Sequence, residues 1–293
     1  MELVVLSGKG GTGKTTIATA LSELEKDVIR VDCDVEASNF YMYYKGEDLE
    51  KEDFYAGKVA SIDEEKCIQC GKCEEICRFD AVKDFKIDPF YCEGCGACSL
   101  VCPQDAIVLK KEKVADTFIT KTDKGIITRA EMGIGSDASG LLISFLREKA
   151  KKFNTDEKLT IIDGSPGIGC PVIASITNSD SVLIVTEPTK SGLEDLKRLI
   201  SLCEHFDIFT MVCINKSDIN ENISREIEEF VVDRGLNLVG KVPYDDMVMK
   251  SINELKPITY YKESIAEQAI EKMWKNIKKL QENSLKGLGV KNG

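Results

Sequence analysis

Apolar residues in this chain fall into short runs, and stretches with helical spacing separate them. Leu3-Val4-Val5-Leu6 is the first run, and residues 27–32, 159–163, 182–186, 208–214 and 238–242 supply the others. Runs of this length suit buried strands and are too short for helices. Each is followed by a helical pattern, beginning with Ile17-Ala18-Thr19-Ala20-Leu21. Such alternation predicts an α/β fold with a mainly parallel sheet and helices on both faces. A later helix places Leu141, Leu142, Phe145, Leu146 and Ala150 at helical intervals. The last helix, about 263–282, puts Ile265, Ala269, Ile270, Met273, Ile277 and Leu280 on one side, with Lys272, Lys275, Lys278 and Lys279 mostly elsewhere. Its apolar stripe is of ordinary width, which favours a helix closing the domain over a membrane-surface helix. The tail from Leu285 is expected to fray.

The alternation is interrupted once. Residues 46–58 are charged and weakly patterned and read as a linker. Residues 114–120 and 125–129 flank Thr122-Asp123-Lys124-Gly125 and predict a hairpin. The segment between linker and hairpin has a texture of its own. The expected organisation is therefore a first part of the main domain at 1–58, an insert at 59–111, and the rest of the main domain at 112–293.

Composition narrows the setting. The 293 residues are 43% hydrophobic and 30% charged, enough to fill a sizeable core. A net charge of −11 and a pI near 4.9 argue against a nucleic-acid surface, which needs clustered Lys and Arg. No apolar run reaches the ~18–20 residues of a membrane span. The expectation is a cytoplasmic protein with no stable membrane insertion and no nucleic-acid partner. In a reducing compartment, twelve cysteines read as metal ligands sooner than as disulfides.

Candidate chemistry begins between the first strand and helix, at Ser7-Gly8-Lys9-Gly10-Gly11-Thr12-Gly13-Lys14-Thr15-Thr16. Gly8, four residues, then Gly13-Lys14-Thr15 satisfies the phosphate-binding-loop pattern in its strand–loop–helix context. The glycines let backbone N–H groups turn onto phosphate oxygens, and the helix N-terminus adds positive potential. Lys14 would reach the β/γ-phosphates and the Thr15 hydroxyl would sit on Mg²⁺. Asp163, ending residues 159–163, fits the Walker-B carboxylate that holds Mg²⁺ through water, and the loop 164–171 suits γ-phosphate sensing. Asp32-Cys33-Asp34 opens a polar loop at a strand's C-terminal edge, where ligands of such sheets bind. A carboxylate there can hold metal-bound water, orient the attacking water, or simply cap a helix.

Eight cysteines form two copies of C-x2-C-x2-C-x3-C, offset by 25 residues. The first copy is Cys67, Cys70, Cys73 and Cys77; the second is Cys92, Cys95, Cys98 and Cys102. Three cysteines at three-residue steps present thiolates to one cubane cluster, and the fourth points to the other cluster. The predicted sets are Cys67, Cys70, Cys73 and Cys102 for one [4Fe-4S] cluster, and Cys92, Cys95, Cys98 and Cys77 for the second. Zinc sites also use C-x2-C pairs, but two complete, symmetric tetrads favour clusters. The segment resembles bacterial two-cluster ferredoxins, a small α+β fold. Pro103 follows the second tetrad as in that family, whereas Arg78 stands after the first.

The second lysine of the phosphate loop, Lys9, carries a wider resemblance. Lys9-Gly10-Gly11-Thr12-Gly13-Lys14-Thr15-Thr16 resembles the loop of the MinD/ParA/Mrp and nitrogenase-iron-protein group of P-loop ATPases, of the SIMIBI type. Asp32-Cys33-Asp34 with Asn39 looks like their switch I, and Asp163-Gly164-Ser165-Pro166-Gly167 like their switch II. Val242-Pro243-Tyr244-Asp245 resembles their late nucleotide-base segment. The overall likeness is to MinD-superfamily ATPases with an inserted ferredoxin domain. It implies ATP and Mg²⁺ as cofactors beside the two clusters. It also implies an ATP-dependent homodimer, or heterodimer with a paralogue, in which Lys9 reaches the partner's phosphates. Asp34 would position the attacking water and, with Thr15 and Asp163, serve the Mg²⁺ site that Asp163 organises, with turnover slow or partner-stimulated. Asn215-Lys216-Ser217-Asp218 also matches the NKxD guanine-reading motif, so GTP stays open beside ATP. Cys170 lies seven residues beyond Asp163, like the switch II cysteine that bridges the iron protein's subunits. The Gly-x-Gly-Cys partner of that cysteine is Gly133-Ile134-Gly135-Ser136 here. Cys170 thus reads equally as a metal-binding or redox thiol or as a buried, inert one. Cys33, Cys203 and Cys213 read as packing residues, and His205 carries no assigned role.

These features support three functions. The first is ATP-driven, low-potential electron transfer through two clusters to a redox partner. The second is Mrp-like delivery of clusters to an accepting protein. The third is a ParA/MinD-like spatial organiser with structural clusters, which the acidic charge disfavours.

Overall fold

Full burial on both faces marks β1 (Glu2–Leu6), β2 (Val28–Asp32), β8 (Thr160–Asp163) and β9 (Ser181–Thr186) as the centre of a sheet. The computed structural model describes residues 1–133, 139–154 and 158–289. Between β1 and β2 lies α1 (Lys14–Glu23), and after β2 come β3 (Gly46–Ile62), α2 (Lys72–Ile76), β4 (Val82–Lys83), β5 (Lys86–Ile87) and α3 (Ala97–Val101). The long strands β6 (Ile107–Thr122) and β7 (Gly125–Met132) lead to α4 (Ser139–Lys151) and β8, then α5 (Cys170–Ile176) and β9. The chain ends through α6 (Lys190–His205), β10 (Phe209–Asn215), α7 (Glu221–Asp233), β11 (Asn237–Val242), α8 (Asp246–Asn253) and α9 (Ile265–Gly289).

The strand order is β11-β10-β9-β1-β8-β2-β7-β6-β3. Pairings from β11 through β7 are parallel, as the βαβ alternation requires. Leu3 and Val5 of β1 join Ile17 and Leu21 of α1 and Ile270, Met273, Trp274 and Ile277 of α9 in one core cluster. Val4 and Leu6 point to the opposite face, where α5 packs on β1 and α4 on β2. The expected mainly parallel α/β fold is thus observed. Helix α9 closes the domain. Ile265, expected on its apolar stripe, is exposed, as is Leu141 of α4; Ile143, Leu142, Leu146 and Ala150 make that helix's buried face.

The stretch read as a linker is instead part of β3. Its charged residues obscured the pattern because β3 is the sheet's edge, where charge discourages pairing with a second sheet. The charges are also tied down: Thr120 Oγ1 donates to Asp48 at 2.5 Å, and Arg129 and Lys149 reach Asp48 and Glu50. The hairpin between β6 and β7 turns at Asp123-Lys124. Gly125 sits there at φ 119°, with Val28 O only 2.1 Å from where a Cβ would stand. Only glycine fits both conditions.

The chain divides into two compact units. One comprises Met1–Lys51, Phe118–Ala130 and Ser139–Gly293; the other comprises Glu52–Thr117 and Glu131–Ala138. Within the second unit, β4 and β5 form a small antiparallel hairpin. Asp63 N donates to Ala106 O at 2.7 Å and Asp88 N to Ala81 O at 2.8 Å. Since Asp63 matches Asp88 and Ala81 matches Ala106 in the 25-residue repeat, each repeat bonds to the other, and the two are interleaved. Its buried core consists of Ala60, Cys73, Val82, Cys98 and Ile107.

Candidate nucleotide site and cysteine hollows

Gly13 sets the phosphate loop. It stands at φ 90° as the residue before α1, and a Cβ there would lie 2.2 Å from Asn215 Nδ2. The left-handed turn swings the chain from β1 into α1, leaving the first N–H groups of the helix without intrahelical partners. Ser7 Oγ donates to Lys9 O at 2.9 Å, and Thr12 Oγ1 lies 3.5 Å from the same carbonyl. Gly8, Gly10, Gly11 and Thr16 complete the loop in the expected strand–loop–helix setting.

Beneath the loop, three carboxylates face one ammonium. Lys14 Nζ lies 2.7 Å from Asp163 Oδ1 and 3.3 Å from Asp34 Oδ2, while Thr15 Oγ1 donates to Asp163 Oδ2 at 2.6 Å. Asp32 and Asp163 are register partners at the ends of β2 and β8, and both are fully buried. Burial would lower the Lys14 pKa, but Asp163 and then Asp34 hold it above its ordinary value. Burial, with the neighbouring Asp163 charge, pushes Asp32 up to about 7. The set carries an excess of negative charge and hard oxygen donors, which suits Mg²⁺. Among the described residues, no three Cys, His, Asp or Glu side chains are placed to hold one metal ion by themselves. Mg²⁺ in a nucleotide site needs only one or two protein oxygens, with phosphates and water supplying the rest.

Sequence reasoning passed over the part Asp32 plays. Its carboxylate accepts from Asp34 N at 3.3 Å, Ser38 Oγ at 2.8 Å and Phe40 N at 3.1 Å, so it shapes the loop that carries Asp34. The only available signal was an acidic residue at a strand end, two positions before Asp34. Asn39, read as part of the same switch, precedes a short 3₁₀ turn.

The NKxD segment meets the phosphate loop. Asn215 Nδ2 donates to Thr12 O at 2.7 Å and Lys216 Nζ to Gly11 O at 3.2 Å. Asp218 Oδ1 accepts from Tyr244 N at 2.7 Å, and Ser217 N donates to Val242 O, joining this segment to the one containing Pro243. Asp245 has a structural role, capping α8 and accepting from Ser264 at 2.6 Å. Lys9 rests on its own chain, 2.5 Å from Glu187 Oε1 and 3.3 Å from Ser191 Oγ. Glu187 also faces Lys216 at 3.4 Å; although burial opposes it, the two lysines hold its carboxyl below the usual range. No sequence motif marked Glu187; it lies at the C-terminal edge of the sheet just past β9, the strand beside β1. Gly167 N donates to Ser7 O at 2.9 Å, bringing the switch II loop to the phosphate loop.

In the second unit, the eight cysteines sort into two hollows. Cys67, Cys70, Cys73 and Cys102 line one of about 350 Å³, counting its open mouth. Cys77, Cys92, Cys95 and Cys98 line another of about 340 Å³. Backbone N–H groups approach sulfur at Ala60 to Cys92 Sγ, 3.4 Å, and Ala106 to Cys102 Sγ, 3.3 Å. Of the remaining cysteines, Cys33, Cys203 and Cys213 are buried, and burial pushes Cys203 up to about 11 and Cys213 up to about 12. Cys170 opens α5 and is exposed, which removes the buried reading of it. Ile134, Gly135 and Ser136, the rest of its suggested partner segment after Gly133, lie outside the described residues. His205 ends α6 edge-on to Phe206. Among the described residues, no helix is long and apolar enough to cross a membrane.

Comparison with known proteins adds four findings. Residues 3–258 match the CobQ/CobB/MinD/ParA nucleotide binding domain. The uncharacterized protein MJ0578 of Methanocaldococcus jannaschii is 37% identical over 225 residues, covering 75% of this chain and 79% of that protein. The septum site-determining protein MinD of Bacillus subtilis is 24% identical over 265 residues, covering 87% and 81%. Among solved structures, the septum site-determining protein MinD of Pyrococcus horikoshii, complexed with Mg-ADP, superposes with a TM-score of 0.57 at 16% identity, covering 96% of each chain. That likeness speaks for the fold.

Proposed function

The chain belongs to the CobQ/CobB/MinD/ParA family of P-loop nucleotide-binding proteins, and we propose that it is an ATP-hydrolysing switch that organises a partner as MinD-like proteins do. The observation that carries this reading is the convergence of Lys14, Thr15, Asp34 and Asp163 under the glycine loop. Among the functions the sequence left open, the spatial organiser gains most from the relatives, since the named ones are septum site-determining proteins. Electron transfer and cluster delivery follow behind it.

In this reading the loop N–H groups and Lys14 hold the triphosphate, and Lys14 exchanges its carboxylate partners for phosphate oxygens. Thr15 and Asp163 would hold Mg²⁺, which when bound supplies charge neutralisation between β- and γ-phosphates. Asp34, released from Lys14, orients the attacking water. Lys9 leaves Glu187 and reaches the phosphates of a second copy, so ATP favours the dimer and hydrolysis loosens it. Adenine is favoured over guanine because two relatives, from Methanocaldococcus jannaschii, are named ATP-binding proteins. Phosphate release from Mg-ATP, compared with Mg-GTP and with Lys14→Ala, tests the proposal. Turnover of ATP that is lost in the variant is expected; equal release by the variant would contradict it.

The cysteine hollows favour a second, compatible reading, in which the smaller unit holds two [4Fe-4S] clusters. Four thiols line each hollow, and N–H groups directed at sulfur tune such centres. A unit this small, whose buried core includes two cysteines, also needs a staple beyond apolar burial. When bound, the clusters would supply one-electron redox chemistry, either as a sensor for the switch or for transfer to a partner. Anaerobic reconstitution should load about eight iron atoms per chain. Cys70→Ser with Cys95→Ser should lower that load, and an unchanged load would refute the ligand sets.

A further inference from the structure

The peptide unit joining Cys33 to Asp34 is tied at both of its polar atoms. Its N–H, on Asp34, donates to Asp32 Oδ1 at 3.3 Å. Its carbonyl, on Cys33, accepts from Ser165 Oγ at 2.6 Å. Cys33 is fully buried and Ser165 nearly so. One residue earlier, Cys33 N donates to Asp163 O at 2.9 Å. The backbone leading into Asp34 is thus gripped by the loop that follows Asp163. That loop is in turn fixed to β1 and to the start of the phosphate loop, with Gly164 N donating to Val5 O at 3.0 Å and Gly167 N to Ser7 O at 2.9 Å. A continuous set of hydrogen bonds therefore runs from β1 through residues 164–167 and the Ser165 hydroxyl to the peptide that aims Asp34.

We propose that Ser165 is a positioning residue for hydrolysis: its hydroxyl sets the orientation of the Cys33–Asp34 peptide, and through it the Asp34 carboxylate. Movement of the 164–167 loop on engaging the γ-phosphate is then transmitted to Asp34 by one side chain. Ser165 acts in this way only if Asp34 orients the attacking water, as proposed above. Its hydroxyl is engaged by the Cys33 carbonyl, so substrate binding is left to Lys14 and the glycine loop. A misdirected carboxylate costs rate because catalysis depends on near-attack geometry.

The test compares Ser165→Ala, Ser165→Thr, Asp34→Asn and the Ser165→Ala/Asp34→Asn double variant, by release of labelled phosphate from Mg-ATP and by thermal melting. Ser165→Ala is expected to lower kcat about tenfold, with KM changed less than about twofold. The threonine variant, which keeps the hydroxyl, should recover most of the rate. The alanine change should have no further effect in the Asp34→Asn background. Unchanged kcat in Ser165→Ala, a raised KM in place of a lowered kcat, or the same fall in the Asp34→Asn background would each overturn the role of Ser165. Wild-type turnover by Asp34→Asn would instead overturn the reading of Asp34 beneath it. A kcat loss that follows a lower melting temperature, and that threonine does not relieve, marks Ser165 as merely structural and also overturns the proposal.

Discussion

Asp32 shows how much one buried carboxylate can arrange. It bonds three groups of the following loop while facing Asp163 across the sheet. Its pKa rises from 3.8 to about 7, with burial the main cause. The folded state therefore binds this proton more tightly than the unfolded chain does, and the group's contribution to stability is lost as pH rises between those values. In nucleotide-free protein, Asp32→Asn should gain stability relative to wild type as pH rises from 5 to about 8. Thermal melts across that range check this, and a difference independent of pH would contradict it. Lys14, Thr15 and Asp163 were legible in the sequence because a phosphate loop and a Walker-B strand fix their residue types at fixed positions. Asp32, Ser165 and Glu187 were not, because their partners lie on other segments and no spacing rule connects them. The fold-back of Lys9 onto Glu187 was equally invisible.

At the level of elements, periodicity revealed the parallel strands but failed where a strand is exposed. The centre of the sheet is buried on both faces and reads as continuous apolar runs. Strand β3 lies at the edge, so its charges hid it. The hairpin was visible because turn residues punctuate it. Gly125→Ala should destabilise the protein by more than about 2 kcal/mol, since both its φ and the nearby Val28 carbonyl oppose a side chain. Urea unfolding measures this, and a shift below about 0.5 kcal/mol would contradict it. A smaller loss is expected at the start of α6, where Thr189 Oγ1 accepts from Gly192 N at 2.9 Å. Thr189→Ala should cost about 1 kcal/mol, the usual value of such a cap; an unchanged urea midpoint would show that the cap contributes nothing.

At the level of the molecule, a family nucleotide-binding domain and a cysteine-rich unit share one chain. The repeat and its cysteine spacing announced the second unit, yet its interleaving through Asp63, Ala81, Asp88 and Ala106 emerged only in three dimensions. The proposed switch rests on Lys9. As a partly exposed lysine paired with Glu187, its ion pair is worth about 1 kcal/mol or less, so Lys9→Ala should leave the melting temperature nearly unchanged. Its work is expected in the dimer. Sedimentation of the protein in Mg-ATP and in Mg-ADP, beside Lys9→Ala, measures this directly. The account predicts a dimer in ATP, a monomer in ADP, and a Lys9→Ala protein that stays monomeric in both. An association state that ignores the nucleotide, or a Lys9→Ala protein that dimerises like wild type, would contradict it.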